Sequence, residues 1–182
     1  NKINATKLFK GKKCLDVGCG NGRGSLFMAK HHVRTLNAID LSKSNVIKTK
    51  KVLKQFGFKI KVQQSRAEKI PYQDNTFDFI WCNGAIMHTH KPSAVISEIH
   101  RVLKPEGKAW IFVYGSGGLW WYVISKLRRY FSNIKPSRVI RELQKLGYAN
   151  RYIAEFLDDW KVLNLRTYTN LKFQKCLKST GF

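Results

Sequence analysis

Leu15-Asp16-Val17-Gly18-Cys19-Gly20-Asn21-Gly22-Arg23-Gly24 runs a short apolar segment straight into a turn that alternates glycine with other residues. Residues 13–17, Lys-Cys-Leu-Asp-Val, have the length and the β-branched end of a buried strand in a parallel sheet. Asp16 interrupts that run, and an ionised carboxylate there is costly unless something binds it. Glycines 18, 20 and 22 admit positive φ and leave a backbone surface bare of side chains, so a ligand can lie against main-chain N–H groups. A helix is expected to start near Asn21 or Gly22, with Leu26, Phe27 and Ala29 on its packed side. Strand, glycine turn and helix in this order read as a nucleoside-cofactor site. Many strand-to-helix turns need glycine, so the flanking residues carry the discrimination.

A second strand, residues 35–39, ends at Asp40, twenty-two positions after Gly18. An acid at the tip of the second strand of a nucleotide-binding sheet is placed to accept hydrogen bonds from ribose hydroxyls. Asp40 and Ser42 equally suit capping of the next helix, expected from near Ser44. On sequence, both roles stand.

Several further segments follow the glycine turn in a recognisable order. They are Ala38-Ile39-Asp40-Leu41-Ser42, Ser65-Arg66-Ala67-Glu68-Lys69-Ile70-Pro71-Tyr72 and Phe77-Asp78-Phe79-Ile80-Trp81-Cys82. After them come Gly84-Ala85-Ile86-Met87-His88-Thr89 and the run from Glu98 through Arg101-Val102-Leu103-Lys104-Pro105-Glu106-Gly107. Over residues 12–114 the chain resembles a class I S-adenosylmethionine-dependent methyltransferase of the type 11 group, the small-molecule branch that includes quinone-biosynthesis enzymes.

The resemblance implies an α/β, Rossmann-like doubly wound sheet of strand order 3-2-1-4-5, with strands near 13–17, 35–39, 60–64, 77–82 and 108–114. It implies S-adenosyl-L-methionine as cofactor, leaving as S-adenosyl-L-homocysteine. Asp16 and the backbone of Gly18, Cys19 and Gly20, with Asn21 and Gly22 completing the turn, would hold its amino-acid end, and Asp40 its ribose. Ala67 and Glu68 would sit at the adenine, with Leu41 on one face of the ring, and Asn83 and Gly84 along the methionine side. Two positions depart from the family pattern. Arg66 stands where an acid is usual, and a guanidinium only donates, leaving Glu68 or a backbone carbonyl to accept from the adenine amino group. Glu106 stands where glycine is usual, in the turn before the fifth strand.

The 182 residues suit one domain, with 43% hydrophobic residues for its core. Its expected parts are a cofactor-binding core (1–114), a helical lid over the acceptor (115–166) and a final helix (167–182). The family closes its sheet with an antiparallel pair of strands beyond such a helix, so the chain reads as a piece of a longer one with those strands missing or truncated. Four cysteines (14, 19, 82 and 176) are scattered without metal-binding spacing, and reduced thiols in a cytoplasmic protein are expected. No metal site is expected.

Thirty-four Lys and Arg against eleven Asp and Glu give a net charge of +23, which attracts nucleic acids and anionic membrane surfaces. Lysine outnumbers arginine by 24 to 10 and is dispersed, whereas bidentate phosphate or base recognition favours clustered arginine. A small-molecule or lipid-linked acceptor, methylated on oxygen or carbon, is therefore expected ahead of RNA. An RNA methyltransferase would show a continuous basic groove leading to Asn83 and Gly84. A third reading, a non-catalytic cofactor-binding or interaction protein, follows if Arg66 spoils the adenine site.

Within 115–166, a glycine hinge precedes a helix whose Leu119, Val123, Lys126 and Tyr130 share one face, broadened by Trp120, Trp121, Ile124 and Leu127. From 119 to 151, eight Lys or Arg face one acid, Glu142. Such a basic amphipathic helix suits either packing over the site or contact with the inner face of a membrane. Helices are expected at 137–146 and 150–159. Trp120, Trp121, Arg166 and Tyr168 are the candidates on the acceptor side. His88 is the candidate base for a hydroxyl acceptor, since it follows the fourth strand and imidazole suits proton transfer near neutrality. His88 packing or capping at that turn is the alternative; His90 is a weaker candidate.

Overall fold

The computed structural model describes residues 5–150, 152–153, 156–157 and 166–182, without the side chains of residues 120, 121 and 132. Five strands form one parallel sheet in the expected order β3-β2-β1-β4-β5. They are β1 (Lys13–Val17), β2 (Thr35–Asp40), β3 (Lys61–Gln64), β4 (Phe77–Asn83) and β5 (Leu103–Phe112). The helices are α1 (Ala5–Phe9), α2 (Arg23–Ala29), α3 (Lys43–Gln55), α4 (Pro92–Val102), α5 (Gly118–Ser132), α6 (Pro136–Lys145) and α7 (Asn170–Lys178). A 3₁₀ turn, Ile86–His88, follows β4. The expected helix at 150–159 lies largely outside the described residues.

Alternation along β1 divides the core in two, as a sheet covered on both faces requires. Leu15 and Val17 point to one side with Ile39, Ile80 and Cys82. There they meet Val95, Ile96, Ile99 and Val102 of α4, and Phe173 and Leu177 of α7. Cys14 points to the other side, with Leu36 and Phe79, against Phe9 and Met28. The α4 residues recur at helical spacing after Pro92, which occupies the first turn where its missing N–H costs nothing.

The packed side of α2 differs from expectation. Ser25, Met28 and Ala29 are buried, while Phe27 is 42% exposed and lies edge-on to Phe9. The helix is turned so that Ser25 reaches Asp16, to which its hydroxyl donates at 2.6 Å. A buried carboxylate needs that donor more than Phe27 needs full burial.

The fifth strand also departs from the expected span of 108–114. It begins at Leu103, paired with Phe77, and the pairing then jumps to Lys108 opposite Phe79. Five residues on β5 thus answer two on β4, and the extra ones bulge out around Glu106, whose φ is +61°. Beyond the bulge the register is regular up to Phe112 opposite Asn83. The left-handed backbone at Glu106 explains why glycine would suit this position. Glu106→Gly is expected to raise the unfolding free energy by about 1 kcal/mol in urea titrations, because glycine enters this region without a Cβ penalty.

Candidate active site

All five parallel strands end on the same side, and a cavity of about 630 Å³ opens there, where open α/β sheets bind ligands. It is lined by residues from five separate segments of the chain. Gly18, Gly20 and Asn21 come from the first turn, Asp40 and Leu41 from the end of β2, and Arg66, Ala67 and Glu68 from the loop after β3. Asn83, Gly84 and His88 follow β4. Phe112 and Tyr114 close the end nearest β5.

Asp40 holds this arrangement together. One carboxylate oxygen accepts from the Gly20 amide at 2.8 Å, tying the glycine turn to β2. The other accepts from the Ser42 amide at 2.8 Å and from the Asn45 side chain at 3.1 Å, at the start of α3. Ser42 is the N-cap of α3, accepting from the Asn45 amide at 3.4 Å. Ser42 thus caps α3, while Asp40 braces that first turn and lines the cavity as well.

The glycine turn is shaped for close approach. At Gly18 a Cβ would sit 2.4 Å from that of Ala85, so the turn after β1 can nest against the one after β4 only without a side chain. At Gly20 a Cβ would meet nothing within 4 Å. The expectation that main-chain N–H groups of this turn face a ligand is corrected here. Those of Gly18 and Cys19 donate to the Ile39 carbonyl at 2.9 and 3.0 Å, and that of Gly20 donates to Asp40.

Asp16, Cys19 and Gly22 lie behind the wall of the cavity and not in it. Cys19 is buried towards α3, where Thr49 donates to its sulfur at 3.5 Å, and Gly22 packs on Thr49. Asp16 is 2% exposed, and burial pushes its carboxyl up to about 7, against the lowering effect of the Ser25 hydrogen bond. Burial likewise pushes the thiols of Cys14, Cys19 and Cys82 up to about 12, so they are inert at neutral pH.

The loop after β3 is fixed from outside the cavity. Arg101 of α4 forms a fork with Glu98, both bonds 2.7 Å, and donates to the carbonyls of Ile70 and Tyr72 and to Asp74. Glu98 in turn accepts from the Ile70 amide at 2.7 Å, and these bonds hold its carboxyl below the usual range. Arg66 is exposed at the cavity wall, with Nε 3.8 Å from a Glu68 oxygen.

On the acceptor side, Arg166 and Tyr168 do not line the cavity. The Arg166 amide donates to Met87 and its guanidinium to the His90 carbonyl, so the residue braces the turn after β4. Tyr168 is joined to the end of β5 by backbone bonds with Tyr114 and Ser116, and its ring packs on Phe173 at 5.4 Å. Both were expected on the acceptor side, and the bonds they make are to the segments after β4 and β5. The side chains of Trp120 and Trp121 lie outside the described residues. His90, the weaker base candidate, lines the cavity, as do Thr89, Phe112 and Tyr114, which the sequence did not single out for the site. The last two lie at the C-terminal end of a strand, the position that could have found them. Among the described residues no group of three or more His, Cys, Asp or Glu could hold a metal ion.

A family model described as "Methyltransferase domain" matches residues 15–111. Glycine/sarcosine/dimethylglycine N-methyltransferase of Actinopolyspora halophila is 31% identical over 97 residues, 52% of this chain and 17% of that one. Sterol 24-C-methyltransferase ERG6B of Gibberella zeae is 36% identical over 102 residues, 53% of this chain and 26% of that one. The matched region thus spans about a quarter or less of these curated relatives. Among solved structures, the YcgJ protein of Bacillus subtilis superposes with a TM-score of 0.71 at 19% identity, over 98% of this chain and 64% of that one. That likeness shows the fold.

Because Asp16 ionises near pH 7 when folded and near 3.8 otherwise, the unfolded chain loses this proton first. The contribution of Asp16 to stability therefore falls as pH rises from about 4 to 7 and stays low above it. Asp16→Asn is expected to be more stable than the parent at pH 8 by on the order of a few kcal/mol, and to show no such gain at pH 4. Urea unfolding at the two pH values checks this.

Proposed function

We propose that this chain, which belongs to the methyltransferase domain family, binds S-adenosylmethionine in the cavity above the sheet and positions a small-molecule acceptor for methylation. The observation that carries the reading is the convergence of Gly18, Gly20, Asp40, Leu41, Ala67, Glu68, Asn83 and Gly84 on one cavity.

The residues present fit that cofactor. Asp40 has a carboxylate at the wall whose oxygens hold only part of their hydrogen-bonding capacity inside the protein, leaving lone pairs for ribose hydroxyls. Leu41, 64% exposed at the rim, is an apolar side chain suited to the face of a purine. Ala67 leaves room for the ring edge. Glu68 is the acceptor for an exocyclic amino group, and Arg66 supplies a donor beside it. Asp16, behind the turn, favours a cationic amino-acid end through its field when ionised. Asn83 and Gly84 line the methionine side, where Gly84 meets nothing within 4 Å of a built Cβ.

When bound, the cofactor supplies a methyl group already activated on a sulfonium, so the protein's task is positioning an acceptor in line with it. His88, Thr89, His90, Phe112 and Tyr114 form that end of the cavity. Phe112 and Tyr114 give it an apolar wall. In this reading His88, on the cavity wall, takes a proton from an acceptor hydroxyl. On the same reading α5 and α6 act as the lid, because α5 starts four residues after Tyr114. The two relatives, a glycine/sarcosine/dimethylglycine N-methyltransferase and a sterol 24-C-methyltransferase, support a small-molecule or lipid acceptor.

Calorimetric titration with S-adenosylhomocysteine tests the reading: saturable binding is expected, and its absence would leave an interaction protein. Asp40→Ala is expected to weaken that binding about 100-fold, since it removes a charged acceptor and frees Gly20. With a hydroxyl acceptor found by screening, His88→Ala is expected to lower kcat by at least about 100-fold and to flatten the acid limb of its pH profile. An unchanged profile assigns His88 to packing.

A further inference from the structure

We propose that the outward face of α5 docks on a bilayer surface containing anionic phospholipid and so sets the mouth of the cavity at the lipid–water boundary. The orientation rests on the cavity being the methyl-transfer site; the docking itself does not.

Leu119, Tyr122, Val123, Lys126, Leu127 and Tyr130 recur at three- and four-residue spacing along α5 and share one side of the helix. Burial does not account for them. Leu119 is 78% exposed, Tyr130 70% and Tyr122 62%, with Val123 and Leu127 also exposed. The opposite side faces the protein instead: Ile124 and Phe131 are half-buried, and the Phe131 ring meets that of Phe156 at 5.8 Å. The helix has thus placed one apolar stripe inward and a second one in solvent. An exposed apolar stripe on an otherwise charged surface marks an interaction site.

Charge complementarity says what covers it. Lys126 lies within the stripe, its ammonium 5.5 Å from the ring centre of Tyr122. Lys135, Arg138, Arg141 and Lys145 follow on α6 and its leading turn, all exposed, against the single acid Glu142. Nucleic acid would draw on these cations but offers no place for Leu119, Val123 and Leu127, since backbone recognition is polar and stacking needs aromatic rings. A headgroup region takes both: aliphatic side chains enter the acyl boundary, tyrosines sit at the interface and lysines meet anionic lipid. No helix among the described residues is long and apolar enough to cross a membrane. The connection to the site is short, since Phe112 and Tyr114 line the cavity and α5 begins at Gly118. A lipid-borne acceptor would then reach the cavity without leaving the interface.

The full chain is mixed with sucrose-loaded vesicles of phosphatidylcholine, or of phosphatidylcholine and phosphatidylglycerol at about two to one, and pelleted. Binding to the mixed vesicles, weakened by salt, with little binding to phosphatidylcholine alone, is the expected result. Leu127→Gln with Tyr130→Gln is expected to lower the partition coefficient by about tenfold or more, with circular dichroism and S-adenosylhomocysteine affinity unchanged. Hydrogen exchange on the unmodified chain supplies a second measurement: amides of 118–132 are expected to exchange more slowly when mixed vesicles are added. Three outcomes would overturn the proposal: no sedimentation with mixed vesicles, sedimentation indifferent to the α5 substitutions with unchanged exchange, or release of the chain from vesicles onto single-stranded RNA. Loss of S-adenosylhomocysteine binding with vesicle binding intact would instead sink the cofactor reading alone.

Discussion

The Asp40 carboxylate joins three elements that the chain supplies separately: the glycine turn, the end of β2 and the first turn of α3. Its amide donors lie at 2.8 Å, the range of charge-assisted bonds, and the residue is almost fully buried. Anchoring the turn in this way frees Gly20 from needing a side chain to hold it. The turn after β4 can then close on Gly18, with Ala85 filling the space a Cβ would take. The cavity follows from these contacts, since its walls are the turns that Asp40 and Gly18 bring together.

Much of the fold was legible because its signals are local. Buried parallel strands show as short apolar runs, whereas the strand order 3-2-1-4-5 was implied by the family resemblance. What was not legible depends on partners distant in sequence. Phe27 was assigned to the packed side of α2 by period alone, yet the demand of Asp16 for a donor turns Ser25 inward. The start of β5 was hidden because Pro105 and Gly107 break the strand pattern, while the pairing absorbs them as a bulge. The glycine N–H groups looked available to a ligand, but the Ile39 carbonyl and Asp40 use them. The carboxylates at Asp16 and Asp40 looked alike on paper. Asp40 lines the cavity at the tip of β2, while Asp16, on the same side of the sheet, lies behind it, one step back within β1 opposite Ala38.

Electrostatics and packing divide the molecule unevenly. The acids that do structural work are concentrated around the sheet: Asp16, Asp40, Asp78, Glu98 and Asp74 each meet a named partner there. Outside that framework Lys and Arg outnumber the acids, and α5 and α6 combine them with exposed apolar side chains. Within the sheet each buried carboxylate accepts a hydrogen bond, Asp16 from Ser25 and Asp40 from Gly20, Ser42 and Asn45.

The bulge in β5 lies at the end of the sheet away from the cavity, and the strand is back in register before it reaches Phe112. Length changes between Pro105 and Gly107 are therefore taken up in the bulge, leaving the Lys104–Asp78 pair in place, and do not propagate along the strand to the reacting end. This makes that corner a place where the gene can gain or lose codons without moving the site. It is also a natural point for inserting a reporter domain while sparing both the cavity and α5.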